Sequence, residues 1–345
     1  MASATTIPIP TPDGSERKFR VSSPDRVLYP ASESGPELSK LDVVKYLVAV
    51  GEPLMRSLQD RPVTLQRFPT GIEGEEFYSK NPPRGVPEWA RSVMVTYPSG
   101  RQHKQLVIDE IATAAWAAQM NTLTFHPWPV RTSNVDNPDE IRLDLDPQPG
   151  RPFSDIVKVA RALANVMRPL GLTPMVKTTG NRGLHVFAPI KADWEFLEVR
   201  HAVIAIAREV ERSMPDVATT AWWKEERGDK VFLDFNQACR DRTLAAAWSP
   251  RPRPGAPVSM PVSWDELDGV SPEGFSIYNA VDRLNEVGDA WADLHAEGRA
   301  GDLTEPLKWW DRDLDNGLTE MPFPPDYPKM PGEPRRVQPS RKKQD

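Results

Sequence analysis

The sequence predicts a fold of the α/β or α+β class, in which helices cover a sheet. Short apolar runs rich in β-branched residues alternate with helical patterns between residues 120 and 236. The chain has 345 residues, of which 39% are hydrophobic, so it can build one large domain or two ordinary ones.

The predicted helices follow from apolar periodicity and from end signals. The first covers 39–58, with Ser39 as its N-cap and an interruption at Gly51-Glu52-Pro53. Further helices are predicted over 105–120, 154–170 and 195–213, with Ser154 capping the second of these.

The predicted strands are short runs bounded by turn residues. They are 61–69 (RPVTLQRFP), TLTFH, IRLDLD, PMVKTTG, LHVFAPI and KVFLDF. After Trp248 we expect an irregular chain, with two proline-rich stretches at 250–262 and 322–339.

Composition excludes several classes of protein. The net charge of −6 counts against a protein that coats nucleic acid, since phosphate neutralisation needs a basic surface. Cys239 is the single cysteine, which excludes an internal disulfide and a cysteine-rich zinc site. No apolar run approaches the roughly 18 residues of a membrane helix, and no secretory signal is evident. We therefore expect a cytoplasmic protein with no membrane partner.

Three aspartates are candidates for metal chemistry. In IRLDLD the residues alternate strictly, so Asp144 and Asp146 share one face of the strand, about 7 Å apart at Cα. Such a pair can hold one or two hard divalent ions, although a solvated acidic strand face has the same pattern. Asp234 lies among large apolar residues in KVFLDFNQ and is either a third metal ligand, an edge-strand residue or half of a buried ion pair.

A second group of residues could bind anions. The turn in VKTTGNRGLHVF offers hydroxyl and backbone N–H groups of the kind that hold phosphate oxygens, while an ordinary hairpin explains it equally well. Arg251 and Arg253 in SPRPRPG form either a two-pronged anion clamp or a solvated pair. Neither GxGxxG nor GxxxxGK[ST] occurs, so a Rossmann dinucleotide site and a P-loop are unsupported.

Taken in order, these motifs resemble a known family. FHPWP, RLDLDP, KTTGNRGLHV, TTAWWKEERG, FLDFNQ and SPRPRPG, preceded by DRVLYP and EFYSKNPPRG, resemble the polymerase domain of bacterial LigD, of the archaeo-eukaryotic primase superfamily. The resemblance covers about residues 20–300. It implies an α+β fold, with an RRM-like catalytic sheet packed against a second small α/β lobe.

The resemblance also implies a domain organisation. A polar lead-in (1–20) precedes the catalytic domain (21–300), whose two lobes share one active site, and a C-terminal wrap with a basic tail (301–345) follows. Because no KxDG ligase motif occurs, the sequence resembles a stand-alone bacterial primase-polymerase.

The resemblance implies roles for individual residues. Asp144, Asp146 and Asp234 correspond to the catalytic carboxylates that bind two divalent ions, Mn²⁺ or Mg²⁺. The positions that hold the triphosphate correspond to His126, Thr179, Arg182, His185, Arg251 and Arg253. Phe77 and Tyr78, with Lys80 nearby, fall where the family stacks the base or template. Arg26 and Lys40 match the basic pair that grips a 5′-phosphate of DNA.

The implied activity is template-directed nucleotidyl transfer from NTPs or dNTPs, with a preference for ribonucleotides. The arginines and His185 would neutralise charge that develops on the phosphates. Expected partners are gapped or broken DNA with a 5′-phosphate, together with a DNA ligase or Ku. The expected enzyme is a monomer associated with the nucleoid, working in excision-repair gap filling or in end joining.

Three other functions remain open at this point. A de novo primase would make dinucleotides without a primer. A two-metal nuclease would use the same carboxylates without needing the triphosphate pocket. A non-catalytic protein would bind DNA ends or gaps, and it would still bind them after the aspartates were replaced.

Overall fold

The computed structural model describes residues 3–340, which contain fifteen strands and seven α-helices. The strands are β1 (Ala4–Pro10), β2 (Glu16–Ser22), β3 (Val27–Tyr29), β4 (Leu38–Ser39), β5 (Pro62–Arg67), β6 (Phe77–Ser79), β7 (Ser92–Thr96), β8 (Gln102–Val107), β9 (Thr122–Pro127), β10 (Glu140–Pro147), β11 (Met175–Thr178), β12 (Leu184–Pro189), β13 (Ala218–Thr219), β14 (Val231–Asp234) and β15 (Pro261–Val262). The helices are α1 (Lys40–Ala49), α2 (Gly51–Leu58), α3 (Ile111–Gln119), α4 (Phe153–Met167), α5 (Phe196–Ser213), α6 (Ile277–Val287) and α7 (Thr304–Asp315).

The larger sheet has six strands in the order β13-β14-β10-β12-β11-β15. Strand β10 lies inside this sheet and pairs antiparallel with β14 on one side and β12 on the other. Its apolar residues Ile141, Leu143 and Leu145 are buried in the core that also includes α4 and α5. The opposite face of β10, which carries Asp144 and Asp146, is left for the site.

The smaller sheet has five strands, β6-β5-β8-β7 with β9 paired to β5, and helices α1, α2 and α3 pack beside it. Buried arginines join the two sheets. Arg142 on β10 donates to the carbonyls of Pro127 (2.5 Å) and Trp128 (3.1 Å) at the end of β9. Arg61 donates to Asp139 (2.6 Å) and Glu140 (3.1 Å) at the start of β10. These contacts place β9 next to the face of β10 that carries Asp144 and Asp146.

Several predicted elements are confirmed. Ser39 caps α1 through a capping box with Asp42, because the Ser39 side chain accepts from the Asp42 N–H and the Asp42 carboxylate accepts from the Ser39 N–H. The helical segment breaks at Val50, next to the predicted interruption, and continues as α2. Helix α5 and strands β5, β9, β10, β11, β12 and β14 also form where the sequence predicts them.

Two helix boundaries were predicted wrongly. Helix α3 begins at Ile111, because Gln105–Val107 complete strand β8 in a ladder with β7. Their apolar character fits both a strand and a helix, and the neighbouring strand decides between them. Helix α4 begins at Phe153 after Pro152, and no side chain caps it, so Ser154 is not its N-cap.

The prediction of an irregular chain after Trp248 was also wrong, because α6 and α7 lie in that region. Each helix buries only a few residues, Ile277 and Ala280 in α6 and mainly Pro306 and Trp310 in α7. Because most of their other residues are exposed and polar, the sequence shows no clear helical period of apolar residues. The polar lead-in contains an ordered hairpin, β1–β2, that buries Ile9, Phe19 and Val21. The end of the predicted basic tail, 341–345, lies outside the described residues.

Among residues 3–340, none of the helices has the length and apolar character needed to cross a bilayer.

Candidate active site

Strand pairing brings the three predicted carboxylates together. Asp144 on β10 lies directly opposite Asp234 on β14 in the antiparallel register, and Asp146 follows two residues further on the same face. Asp234 accepts hydrogen bonds from the Asn236 N–H (3.0 Å) and from Gln237 Nε2 (2.8 Å). The strand ends at Asp234, and a turn of 3₁₀-helix over Phe235–Ala238 replaces the alternation expected beyond it.

The cluster carries negative charge that the protein compensates only in part. Burial, and after it the neighbouring carboxylates of Asp234 and Asp146, raise the pKa of Asp144 to about 8, against the opposing effect of Lys177 and Arg251. Burial also raises the pKa of Asp234. The nearest ion-pair partner of Asp146 is Arg227, with its Nη1 at 3.9 Å. An additional cation would stabilise this arrangement.

A cleft of about 200 Å³ opens beside Asp144. Seven of the predicted site residues line it together: His126, Asp144, Asp146, Thr179, Arg182, His185 and Arg251. The remaining wall comes from the turn after β11 and from Thr243, Leu244 and Ala245, which follow the 3₁₀-helix. Carboxylates therefore face cationic and hydroxyl groups across one small space.

The turn between β11 and β12 is closed by its own side chain. Thr179 Oγ1 accepts from the N–H groups of Asn181 (3.1 Å) and Gly183 (3.2 Å). The prediction that the backbone N–H groups of this turn are free for phosphate is therefore wrong for these two, since the threonine hydroxyl already occupies them. The Thr179 O–H and the Arg182 side chain are among the donors that the turn presents to the cleft.

Two glycines allow close approach in this turn. Gly180 has φ +67°, and a Cβ there would lie 2.6 Å from Arg251 Cγ. A Cβ on Gly183 would lie 2.5 Å from the Leu145 carbonyl oxygen of β10. The absence of both side chains lets Arg251 and the turn pack directly against the strand that carries the aspartates.

Both predicted histidines are buried and neutral. Burial, and then neighbouring cations led by Arg251, lower the pKa of His126 to about 3, and burial with Lys177 holds the pKa of His185 well below its usual value. His126 Nε2 lies 3.1 Å from Gln66 Oε1, and His185 Nε2 lies 3.5 Å from Asp144 Oδ1. The expectation that His185 supplies positive charge is therefore corrected, because a neutral ring contributes hydrogen bonds and no net charge.

Other predicted nucleotide-binding residues lie outside the cleft. Phe77 and Tyr78 on β6 are 46% and 55% exposed, and the Tyr78 ring lies 5.7 Å from the ring of His126. Lys80 lies 4.0 Å from Asp241 and above the ring of Tyr97, so its ammonium already has partners. Arg253 is exposed beyond Arg251. The exposed aromatic pair at the side of the cleft is suited to stacking on a base.

The predicted 5′-phosphate pair is adjacent but unequal. Lys40 N–H donates to the Arg26 carbonyl (2.8 Å), which holds the two residues side by side. Arg26 is exposed and its guanidinium donates to the Pro69 carbonyl (2.6 Å). Lys40 is only 4% exposed, with Nζ 3.1 Å from the Ser22 carbonyl, and burial followed by the Arg26 charge lowers its pKa to about 8.

Comparison with known proteins assigns the chain to a family. A family model described as "LigD, primase-polymerase domain" matches residues 39–291. The chain belongs to the LigD primase-polymerase family. Membership implies nucleotidyl transfer as the class of reaction, and the matched range contains the carboxylate cluster and the cleft.

Relatives and solved structures agree with the LigD assignment. The multifunctional non-homologous end joining protein LigD of Mycolicibacterium smegmatis is 30% identical over 92% of this chain, and its counterpart in Pseudomonas aeruginosa is 31% identical over 79%. The chain spans only 41% and 32% of those proteins. The polymerase domain of Mycobacterium tuberculosis ligase D in complex with DNA superposes with a TM-score of 0.71 at 30% identity, covering 79% of this chain and 96% of that one. The predicted primase fold is thereby confirmed.

Sequence reasoning missed several residues of this LigD-type site. Lys177 on β11 is fully buried, with Nζ 2.7 Å from His185 Nδ1 and in contact with Ser259 Oγ. Arg227 approaches Asp146, and Gln66 holds His126. Lys177 had a usable signal, because a lysine inside the apolar run PMVKTTG is costly to bury without a partner.

Proposed function

We propose that this protein is a template-dependent nucleotidyltransferase that fills short gaps in DNA, extending a primer 3′-OH up to a downstream 5′-phosphate. Its preferred substrates are ribonucleoside triphosphates. The observation that carries the proposal is the direct pairing of Asp144 with Asp234, beside a cleft that Asp144 lines together with Arg182, Arg251 and Thr179.

The carboxylates fit a site for hard divalent ions. All three are oxygen donors on one face of the sheet, and the raised pKa of Asp144 reports negative charge that a cation would balance. Within residues 3–340, no group of three or more Asp, Glu, His or Cys side chains is arranged to hold an ion by itself, the three carboxylates included. The proposal therefore requires phosphate oxygens and water to complete the shell of Mg²⁺ or Mn²⁺, ions that commonly take one or two carboxylates.

Asp144, Asp146 and Asp234 would hold these ions, which supply activation of the primer hydroxyl and neutralisation of the phosphates in two-metal nucleotidyl transfer. The protein's own contribution is positioning and hydrogen bonding. Arg251 and Arg182 bring fixed positive charge to the triphosphate, and arginine suits bidentate phosphate contact. Thr179 and the neutral His185 add hydrogen-bond donors.

The DNA would be recognised at two places outside the cleft. Phe77 and Tyr78 offer exposed rings for a base of the template or of the incoming nucleotide. Exposed Arg26, with Lys40 behind it, offers positive charge for a 5′-phosphate. Binding through a few phosphates is compatible with a net charge of −6.

The biological setting proposed is DNA repair. The relatives from Mycolicibacterium smegmatis, Pseudomonas aeruginosa and Bacillus subtilis carry names of non-homologous end joining proteins. End joining and short-gap filling in excision repair both present gaps with a 5′-phosphate. Either pathway needs a DNA ligase afterwards, and end joining adds Ku as a partner. In either pathway the protein would act as a monomer in the cytoplasm, associated with the nucleoid.

The test is extension of a primer on gaps of one to three nucleotides, with a 5′-phosphate or a 5′-hydroxyl downstream, using NTPs and dNTPs. We expect faster incorporation with the phosphate and with ribonucleotides. Arg251→Ala should abolish incorporation while gap binding persists. DNA cleavage unaffected by Arg251→Ala would instead support a nuclease, and dinucleotide products formed without a primer would support a primase.

A further inference from the structure

The C-terminal segment 319–336 lies beyond the range that the family model matches, yet it packs against the part of the chain that follows Asp234. The contacts are made to two places, the 3₁₀-helix after Asp234 and the residues that lead to the cleft wall at Thr243–Ala245. The segment therefore contacts the stretch of chain that joins Asp234 to the cleft wall.

The first contact is organised by Arg200 on α5, which is fully buried. Its guanidinium donates to Glu320 Oε1 (2.5 Å) and to the carbonyls of Met321 (3.0 Å) and Pro322 (3.2 Å). The ring of Phe323 lies 3.8 Å from its guanidinium carbon. Arg200 thus contacts four consecutive residues of the C-terminal segment, from the charged Glu320 at one end to the aromatic Phe323 at the other.

The same guanidinium reaches the catalytic strand through one residue. Arg200 Nε donates to Asn236 Oδ1 (2.9 Å), and Asn236 Nδ2 donates to the Pro322 carbonyl (3.1 Å). The Asn236 backbone N–H donates to the carboxylate of Asp234 (3.0 Å). A continuous chain of hydrogen bonds therefore runs from Glu320 through Arg200 and Asn236 to Asp234.

The second contact holds the residues before the cleft wall. The Tyr327 hydroxyl donates to the Arg240 carbonyl, and Asp326 forms an ion pair with Arg242. The segment itself is braced by Glu333, which accepts from the N–H groups of Phe323 (2.9 Å) and Met330 (3.0 Å). Since both contact points belong to one braced segment, they are fixed relative to each other.

We propose that residues 319–336 form a positioning strut, which sets the orientation of the Asp234 carboxylate through Arg200 and Asn236 and holds the cleft wall at 243–245. Its effect on the reaction rests on the proposed function, in which Asp234 binds divalent ions. Residues of the strut touch no reacting atom. The strut acts as an outer layer of hydrogen bonds that orients a metal-binding carboxylate.

Helix α5 offers a matched pair of variants for the test. Arg200→Met removes the contact to both the strut and Asn236. Arg208→Met removes a buried arginine of the same helix that also binds the C-terminal segment, through the Thr319 carbonyl (2.8 Å), with no hydrogen bond to 234–245. Both variants lose a buried arginine of α5 and contacts to the C-terminal segment, one hydrogen bond in Arg208→Met and three in Arg200→Met, and only Arg200→Met also loses the bond to Asn236. A difference between them therefore reports the attachment that Arg200 makes to the strut and to Asn236.

Two measurements on the full chain judge the proposal, both independent of activity. Hydrogen exchange of residues 235–245 should accelerate in Arg200→Met and remain as in wild type in Arg208→Met. Mn²⁺ binding without nucleotide, followed by electron paramagnetic resonance, should weaken about 10-fold in Arg200→Met alone, the scale of losing an outer partner of a metal ligand. Equal exchange and equal Mn²⁺ affinity in the two variants would overturn the strut.

Further outcomes keep the two proposals separate. If Arg200→Met fails to fold, Glu320→Gln and Tyr327→Phe replace it with the same expected changes in exchange. If the wild-type protein binds Mn²⁺ and shows the expected exchange pattern yet incorporates no nucleotide, the polymerase proposal fails while the strut stands. If it binds no Mn²⁺, the metal role of Asp234 fails, and the exchange pattern alone supports or overturns the strut.

Discussion

Lys177 Nζ lies 2.7 Å from Nδ1 of His185, and the other ring nitrogen of this histidine lies 3.5 Å from Asp144. The two residues are opposite each other on β11 and β12. Burial, followed by the charge of Arg251, lowers the pKa of Lys177 well below its usual value, and its amino group can donate to Nδ1 in either protonation state. A donor at Nδ1 leaves the hydrogen of the neutral ring on Nε2. Lys177 therefore selects the tautomer that presents a donor to the cleft.

Replacing Lys177 by methionine tests this relationship. We expect kcat/KM for the nucleotide to fall about 10-fold, the scale of one hydrogen bond to a charged group. Thermal stability should change little, because methionine fills a similar volume and removes an amino group that is costly to bury. ¹⁵N NMR of His185 should report the altered tautomer. Wild-type kinetics with an altered tautomer would show that the Nε2 donor is not used.

The carboxylate cluster predicts that divalent ions stabilise the wild type but not Asp144→Asn. Without metal, Asp144→Asn should raise the melting temperature near neutral pH, because burial, and after it repulsion from Asp234 and Asp146, disfavours the charged carboxylate of Asp144 and raises its pKa. Adding Mn²⁺ should stabilise the wild type and leave Asp144→Asn almost unchanged. Differential scanning calorimetry with EDTA or Mn²⁺ measures both. Equal stabilisation of the two proteins by Mn²⁺ would place the ion elsewhere.

Recognition of a 5′-phosphate should depend on pH through Lys40. Its pKa is lowered to about 8, so the ammonium is charged below that pH and neutral above it. The affinity gained from a 5′-phosphate should therefore fall as pH rises through 8, and Lys40→Arg should retain it to higher pH. Fluorescence anisotropy with phosphorylated and unphosphorylated gaps measures the difference. A pH-independent gain in the wild type would mean that Arg26 acts alone.

The same shift has a consequence for folding. Between pH 8 and the unperturbed lysine pKa of 10.5, the unfolded chain holds a proton at Lys40 that the folded chain lacks. Unfolding therefore takes up a proton, and the free energy of unfolding contributed by this group rises with pH across that window. Lys40→Met should lack the rise in denaturant titrations at pH 8 to 10.

Gly183 is predicted to be intolerant of any side chain. A Cβ would meet the Leu145 carbonyl oxygen at 2.5 Å, and a backbone atom of the central strand cannot move away cheaply. Gly183→Ala should cost about 2 kcal/mol or more of stability, as overpacking does, and should displace the turn that carries Thr179. Gly269→Ala is the control, because that glycine, like Gly183, has no positive φ but has open space around it. Equal unfolding free energies for the two variants would contradict the steric account.

The sequence predicted the strands of the site better than it predicted the state of the hydrogen-bonding groups that line the cleft. Strict alternation in IRLDLD put Asp144 and Asp146 on one face, and the ladder with β14 completes the cluster. Periodicity could not show that Asp234 faces Asp144, because pairing depends on strand order. It also could not show that Thr179 occupies two N–H groups of its own turn, or that burial makes His185 neutral, since both are tertiary properties.

The helix errors have the same origin. Gln105–Val107 can form either a helix or a strand, and their pairing with β5 and β7 decides between the two. Helices α6 and α7 bury too few residues to show an apolar period, so their packing against other elements defines them. The strut at 319–336 reads as a proline-rich tail, because Arg200, which organises it, lies more than a hundred residues earlier.

The central claim is that Asp144 belongs to the catalytic centre of a gap-filling polymerase. The most direct measurement is single-turnover incorporation of one ribonucleotide into a one-nucleotide gap with a 5′-phosphate, in Mn²⁺ and in Mg²⁺. Asp144→Ala is compared with Asp193→Ala, which removes an exposed aspartate away from the cleft. We predict incorporation by the wild type and by Asp193→Ala, and a loss of about 100-fold or more in Asp144→Ala. No incorporation by the wild type with either ion, or an unchanged rate in Asp144→Ala, would contradict the account.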